Sequence, residues 1–182
     1  MKKILFLLCM FVTLQVSAQE FHFIPKIGLN LANMTNSGAS IKPGVNIGLA
    51  GELMLTKHFA IEPGVYYSMQ GNKGDVGNYF YSDYINIPIY AKGYVYNGLY
   101  IFAGPQFGFN VRSKLNTFSF KDYAKTFDFS LGVGVGYQFA WGMMISANYN
   151  IGLTNTFTKD YKNIFGENYK NSVVQINLGW RF

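Results

Sequence analysis

Apolar and polar residues alternate with a period of two along almost the whole chain beyond residue 20. Eight alternating segments can be delimited, at about 21–32, 43–55, 59–71, 84–96, 99–112, 127–139, 143–154 and 173–182. In the fourth, Ile85, Ile87, Ile89, Ala91 and Val95 fall on one side, and Asn86, Tyr90, Lys92 and Tyr94 on the other. Successive strand side chains point to opposite faces, so each segment predicts a β-strand with one apolar and one polar face. The apolar positions are odd-numbered in the first seven segments. They are even-numbered in the last, at Val174, Ile176, Leu178, Trp180 and Phe182. No apolar-face position is charged, and none is Ser, Thr, Asn or Gln; the polar atoms there belong to Tyr67, Tyr137, Tyr149 and Trp180. The opposite face holds Lys26, Glu52, Glu62, Lys92, Arg112, Asp128 and Arg181, many Asn and Gln, and most of the strand glycines.

Two closed barrels show such alternation. A soluble one turns the apolar face inward, and a membrane-spanning one turns it toward lipid. The glycines discriminate between them. Glycine weakens a strand and is kept where space is short, and a face in open water has no such shortage. The lumen of an eight-stranded barrel is just wide enough for side chains to fill. Glycines on the polar face therefore predict a lumen, making room for Tyr66, Tyr90, Tyr94, Tyr100, Phe102 and Arg112.

The connections agree. Thr56-Lys57-His58, Asn97-Gly98 and Ala140-Trp141-Gly142 are short, and Asn-Gly is a strong two-residue hairpin signal. Those at about 33–42, 72–83, 113–126 and 155–172 are longer. Short periplasmic turns and longer outer loops are the pattern of an outer-membrane barrel, and an even strand number returns both termini to the periplasmic side. Phe21, Phe23, Phe59, Phe139, Trp141, Trp180 and Phe182 gather near the short-turn rim. Phe107, Phe109, Phe127 and Phe129 gather toward the other, as two aromatic girdles would. Pro63, Pro88 and Pro105 fall inside strands, each removing a ladder donor, so bulges or local kinks are expected there.

The first residues read as an address. Lys2 and Lys3 precede the apolar run Ile4 to Val12, and Val16-Ser17-Ala18 is a small-residue cleavage site. The expected division is a signal peptide at 1–18 and a barrel domain at 19–182, with the mature chain starting at Gln19. Cys9 lies inside the apolar run without small residues before it, which excludes a lipoprotein signal. Cleavage leaves 13 positive and 9 negative side chains, or +4. This excess, without a basic run, does not argue for nucleic acid. With 182 residues, 49% hydrophobic, 18% aromatic and 13% charged, the chain is one domain and not a disordered segment. Its single cysteine excludes a disulfide scaffold.

Several stretches resemble a known family. Lys42-Pro43-Gly44-Val45, Ile61-Glu62-Pro63-Gly64-Val65-Tyr66-Tyr67-Ser68, Tyr84-Ile85-Asn86-Ile87-Pro88-Ile89 and Ala103-Gly104-Pro105-Gln106-Phe107-Gly108 are similar to the PorT-like outer-membrane β-barrel family of Bacteroidota. So are Gly136-Tyr137 and Tyr149-Asn150-Ile151-Gly152-Leu153-Thr154-Asn155. The resemblance covers essentially the whole mature chain. It implies an eight-stranded outer-membrane barrel, a possible accessory role in protein secretion, and no catalytic residues. The C-terminal Val174, Ile176, Leu178, Trp180 and Phe182 resemble the terminal signal that the barrel-assembly machinery reads.

Candidate chemistry is sparse. His22 and His58 both fall at the periplasmic rim, where no Ser-His-acid grouping can assemble at the outer surface. No cluster has metal-ligand spacing. Gly132-Val133-Gly134-Val135-Gly136 lies within a strand and reads as lumen packing rather than a phosphate loop. Asn33-Met34-Thr35 matches a glycosylation acceptor of little meaning in a bacterial setting. Lys26, Glu52, Glu62 and Lys92 lie on four successive strands at similar heights, and Arg112 and Asp128 at the outer ends of segments five and six. Buried charges must be paired, so two internal ion-pair clusters plugging the barrel are expected. Tyr79, Phe80, Tyr81 and Tyr84 are assigned to the second outer loop. Lys114, Lys121, Lys125, Lys159, Lys162 and Lys170, offset by Asp122, Asp160 and Glu167, are assigned to the third and fourth.

The reading is an all-β, eight-stranded antiparallel up-and-down transmembrane barrel, monomeric, with a filled lumen, no cofactor and no bound metal. The expected partners are outer-membrane lipid and lipopolysaccharide, the barrel-assembly machinery, and a protein docked at a rim. A narrow channel or small-solute transporter is the alternative function; a lipid-modifying enzyme using His22 or His58 is a remoter one.

Overall fold

The computed structural model describes residues 20–34, 40–73, 79–115, 118–119, 125–156 and 170–182. The expected signal peptide lies outside them, as do Lys121, Asp122, Lys159, Lys162, Asp160 and Glu167 of the outer loops. The strands are β1 (Phe21–Met34), β2 (Ser40–Met54), β3 (Phe59–Lys73), β4 (Tyr79–Tyr96), β5 (Leu99–Leu115), β6 (Phe118–Ser119), β7 (Phe127–Gln138), β8 (Met143–Gly152) and β9 (Asn171–Trp180). The two-residue β6 only extends the outer end of β5. The other eight form one antiparallel sheet in the order β4-β3-β2-β1-β9-β8-β7-β5, and pairing of β4 with β5 closes it. It is an eight-stranded up-and-down barrel. Closure leaves no open edge, so every spanning backbone group can be satisfied within the sheet.

The faces are inverted relative to a soluble domain. Ile27, Leu29, Ile47, Val65, Ile101, Val135 and Leu178 are exposed on the outside, while Asn30, Glu52, Glu62, Lys92, Asn148 and Gln175 are buried. The apolar faces therefore form the lipid-facing wall.

Asn97 (φ 41°) and Gly98 (φ 86°) make the two-residue turn between β4 and β5. Positive φ at both central residues is the geometry whose twist matches the flanking strands. At the 55–58 connection, Thr56 Oγ1 accepts hydrogen bonds from the backbone N–H groups of His58 and Phe59. These turns share a rim with the chain end, where Phe182 N donates to Phe23 O and His22 Nδ1 lies 3.0 Å from Phe182 O.

The prolines behave differently from the expectation. No register shift occurs at Pro63, Pro88 or Pro105. Each coincides with a two-residue gap in one ladder, which resumes in the same register: β2–β3 skips Gly51 and Glu52, β3–β4 skips Gly64 and Val65, and β4–β5 skips Ile89 and Tyr90. A missing N–H costs the local bridge and inserts no residue. The register shifts lie instead between Ile41 and Asn46, at Asp83/Tyr84 and at Tyr94/Tyr96.

The strands also run further outward than the alternation indicated. Tyr79, Phe80 and Tyr81 belong to β4 rather than to a loop, as does Tyr84, the outer bound of the fourth segment, which is buried. Lys114 lies in β5.

Candidate functional site

The barrel interior is built in layers. Near its middle and toward the short-turn rim, Tyr90, Phe102, Tyr100 and Tyr94 form a stack, with consecutive ring centroids 5.0, 5.9 and 5.5 Å apart. The rings fit because β7 presents glycines to them. A Cβ on Gly132 would come within 2.8 Å of the Tyr90 ring, one on Gly134 within 2.5 Å of Phe102, and one on Gly136 within 2.3 Å of Tyr100. The alternating glycines of β7 are thus a slot for aromatic side chains.

Next to this stack lies the charge cluster. Lys26 Nζ on β1 pairs with Glu62 Oε1 on β3. Gly48, opposite Lys26 on the intervening β2, carries no side chain. Lys92 Nζ on β4 sits between two carboxylates, pairing with Glu52 Oε2 and lying 2.9 Å from Glu62 Oε2. Arg181 adds a contact that segment-by-segment reading missed, with Nε 2.9 Å from Glu52 Oε1. Its place on the polar face of the last segment was the available signal. The Tyr94 hydroxyl donates to Glu52 Oε2 at 2.7 Å, and Lys92 Nζ lies 4.2 Å from the Tyr100 ring centroid. The side chains of Lys92 and Glu52 are 1% and 0% exposed. Such burial is tolerable because each charge meets opposite charge and further polar groups.

Above the cluster an amide network crosses the lumen. Asn46 Nδ2 donates to Asn177 Oδ1 at 2.9 Å, and Asn177 Nδ2 to Asn148 Oδ1 at 3.2 Å. Asn148 and Asn150 both donate to Gln175 Oε1, at 3.0 and 2.9 Å, and Gln175 Nε2 donates to Asn30 Oδ1 at 2.8 Å. Among the described residues the lumen keeps small cavities, such as those of about 20 and 10 Å³, each with room for roughly one water molecule.

The second expected pair, Arg112 with Asp128, does not form. Asp128 is opposite Gly108 on β5, well below Arg112, and its Oδ1 accepts the Thr154 hydroxyl. Arg112 lies beyond a bulge that turns it to the outer wall, where Nη1 is 3.5 Å from Asp83 Oδ2. Asp83 was assigned to a loop, so its part in this pair had no sequence signal.

At the short-turn rim a cavity of about 790 Å³ opens, lined by residues that include Lys57, His58, Tyr96, Gln138 and Arg181. His22 lies at the same rim, 3.5 Å from Glu20. Among the described residues no group of His, Cys, Asp and Glu is arranged to hold a metal ion. On the wall, Phe139, Trp141, Trp180 and Phe182 follow one another with ring centroids 5.6, 5.2 and 6.4 Å apart. Val174, Ile176 and Leu178 are exposed above them. The opposite girdle has Phe107 against Phe129 at 5.5 Å and Phe109 against Phe127 at 5.7 Å.

Comparison with solved structures finds this architecture in small outer-membrane barrels. Neisserial surface protein A (NspA) superposes with a TM-score of 0.59 at 12% identity, over 91% of this chain and all of that one. Ail, the attachment invasion locus protein of Yersinia pestis, superposes with a TM-score of 0.54 at 14% identity, over 90% of this chain and 99% of that one. No curated protein matches the sequence. The family model described as an outer membrane protein beta-barrel domain matches residues 4–182. With the lipid-facing wall, the two girdles and the charged lumen already in place, this match puts the chain in the outer membrane, as a member of the outer membrane protein beta-barrel domain family.

Proposed function

We propose that this protein is a non-enzymatic, monomeric outer-membrane barrel that works by docking a partner at its rims rather than by passing solute through its lumen. The observation that carries this reading is the interlocked cluster of Lys26, Glu62, Lys92, Glu52 and Arg181, continued by the Asn/Gln network. A solute path would have to break several buried ion pairs and hydrogen bonds at once, each expensive to leave unmade. The rims are free of that constraint, and the periplasmic one offers a concave surface with Lys57 and His58 at its edge. The similarity to PorT-like proteins of Bacteroidota makes an accessory part in protein secretion the specific version of this proposal.

Gentle detergent extraction of the tagged protein from its native outer membrane tests it, with identification of what co-purifies. A reproducible, near-stoichiometric protein partner is the expected result, and its loss on substitution of Lys57 or His58 would place the contact. Recovery as a lone monomer in repeated extractions would overturn the docking reading. Planar-bilayer recording tests the other half, since a steady open-pore conductance would overturn the filled-lumen reading and favour a narrow channel.

A further inference from the structure

At its outer end β5 carries one residue more than β4 pairs. Tyr84 is opposite Asn110, but Asp83 is opposite Arg112, which leaves Val111 as the extra residue. A bulge of this kind inverts the alternation beyond it. Asn110 and Ser113 are buried, whereas Val111 and Arg112 are both exposed. Arg112 therefore stands on the lipid-facing wall, shortly beyond Phe109 of the outer aromatic girdle. An arginine there is costly at the bilayer midplane and nearly neutral at the headgroup level, where such girdles sit.

The arginine is held in place. Asp83 shares its face and is fully buried beneath it, and Asp83 Oδ2 also accepts the Tyr67 hydroxyl at 2.8 Å. Nη1 of the guanidinium lies 3.5 Å from this carboxylate, and the Arg112 side chain is still 47% exposed. Lys114 follows on the same side of β5, opposite Tyr81. The Tyr81 ring has Lys42 Nζ 4.4 Å and the Arg112 guanidinium carbon 5.8 Å from its centroid. Lys42, buried and donating to Gln70 O, and Arg112 thus flank the Tyr81 ring, with Lys114 its partner across the ladder and Asp83 the carboxylate beside Arg112. Guanidinium groups bind phosphate through paired, charge-assisted hydrogen bonds.

We propose that this patch clamps the phosphorylated headgroup of an outer-leaflet lipid of the lipid A type, with Arg112 and Lys114 on the phosphate and Asp83 positioning Arg112. The location selects the source of the phosphate. The patch continues the apolar wall at the girdle and lies outside the lumen, where a lipid is the neighbour by default.

The test is native mass spectrometry of the detergent-extracted barrel titrated with bisphosphorylated lipid A, with fully dephosphorylated lipid A, and with inorganic phosphate as competitor. Retention of bisphosphorylated lipid A is expected, weakened about tenfold in the double variant Arg112→Gln/Lys114→Gln, as loss of charge-assisted bonds implies. Dephosphorylated lipid A should bind the unaltered protein only as weakly as the phosphorylated form binds the variant. Equal retention of both lipids, an unaffected double variant, or displacement by equimolar inorganic phosphate would each overturn the proposal. Migration on gels before and after heating verifies that the variant is folded. Should it not fold, Arg112→Lys, which keeps the charge, must retain phosphorylated over dephosphorylated lipid A, and failure to do so is again disproof.

Discussion

Lys92 and Glu62 face each other 2.9 Å apart inside the barrel, on adjacent strands β4 and β3, and both side chains are buried. Lys92 also holds Glu52, so a single ammonium group stands between two buried carboxylates. The arrangement ties β2, β3 and β4 together from within. With Lys26 and Arg181 it extends to β1 and to the residue that follows β9.

Replacing Lys92 with Met should leave Glu52 and Glu62 short of their common cation. Breaking a buried pair by removing one partner costs about 3–5 kcal/mol. Denaturant unfolding of the reconstituted barrel should register that loss. Adding Glu52→Gln to Lys92→Met should recover part of it, because the more deeply buried carboxylate is then gone and the cation it leaves, Arg181, is partly exposed. A double variant no more stable than the single one would show that the carboxylates find other partners.

The glycine slot of β7 makes a size-dependent prediction. Gly136→Val would push methyl groups into the space that Tyr100 occupies, and overpacking of this kind costs about 1–3 kcal/mol. Shrinking the ring with Tyr100→Leu should relieve it in the double variant. Gly93→Ala is the control, because its Cβ would meet nothing nearer than Ile101 Cγ1 at 3.8 Å. Gly93→Ala should be neutral or slightly stabilising in the same unfolding assay.

At the Asn97-Gly98 turn, backbone conformation rather than volume sets the limit. Gly98 has φ +86°, and a Cβ there would approach Gln138 O to 2.1 Å. Forcing an L-residue into the left-handed region costs about 1–2 kcal/mol before the clash is counted. Gly98→Ala should slow insertion into lipid vesicles, followed by the appearance of the heat-sensitive folded band. Asn97→Gly should leave the rate nearly unchanged.

The two chain ends carry separate predictions. The protein recovered from the outer membrane should begin at Gln19, which intact-mass measurement reads directly; a mass that includes residues 1–18 would refute the signal-peptide assignment. Removing Phe182 should lower the amount assembled in the membrane while leaving the unfolding temperature of assembled protein close to that of the full chain. A matching drop in both would mean that Phe182 acts through packing at the rim, where its N–H meets Phe23 O, and not as an assembly signal.

Sequence alone determined the number of barrel strands, the two faces of each and the direction in which those faces look. The first two follow from period-two alternation, which is local and repeats often enough to be read without knowing any partner, and the third from the glycines gathered on the polar face. The same alternation put Lys26, Glu52, Glu62 and Lys92 on the inner face, and it put Arg181 there too. Tertiary structure decided which charges meet, because contacts across the lumen depend on the stagger between strands distant in sequence. It also decided the fate of Arg112. One unpaired residue, Val111, shifts the register of β5 against β4 and moves every later side chain to the other face. That residue is an ordinary valine in an alternating stretch, so the sequence carried no mark of the bulge. The prolines were the reverse case, conspicuous in sequence yet costing the ladder only local bridges. Removing a donor leaves the register intact, whereas adding a residue changes it.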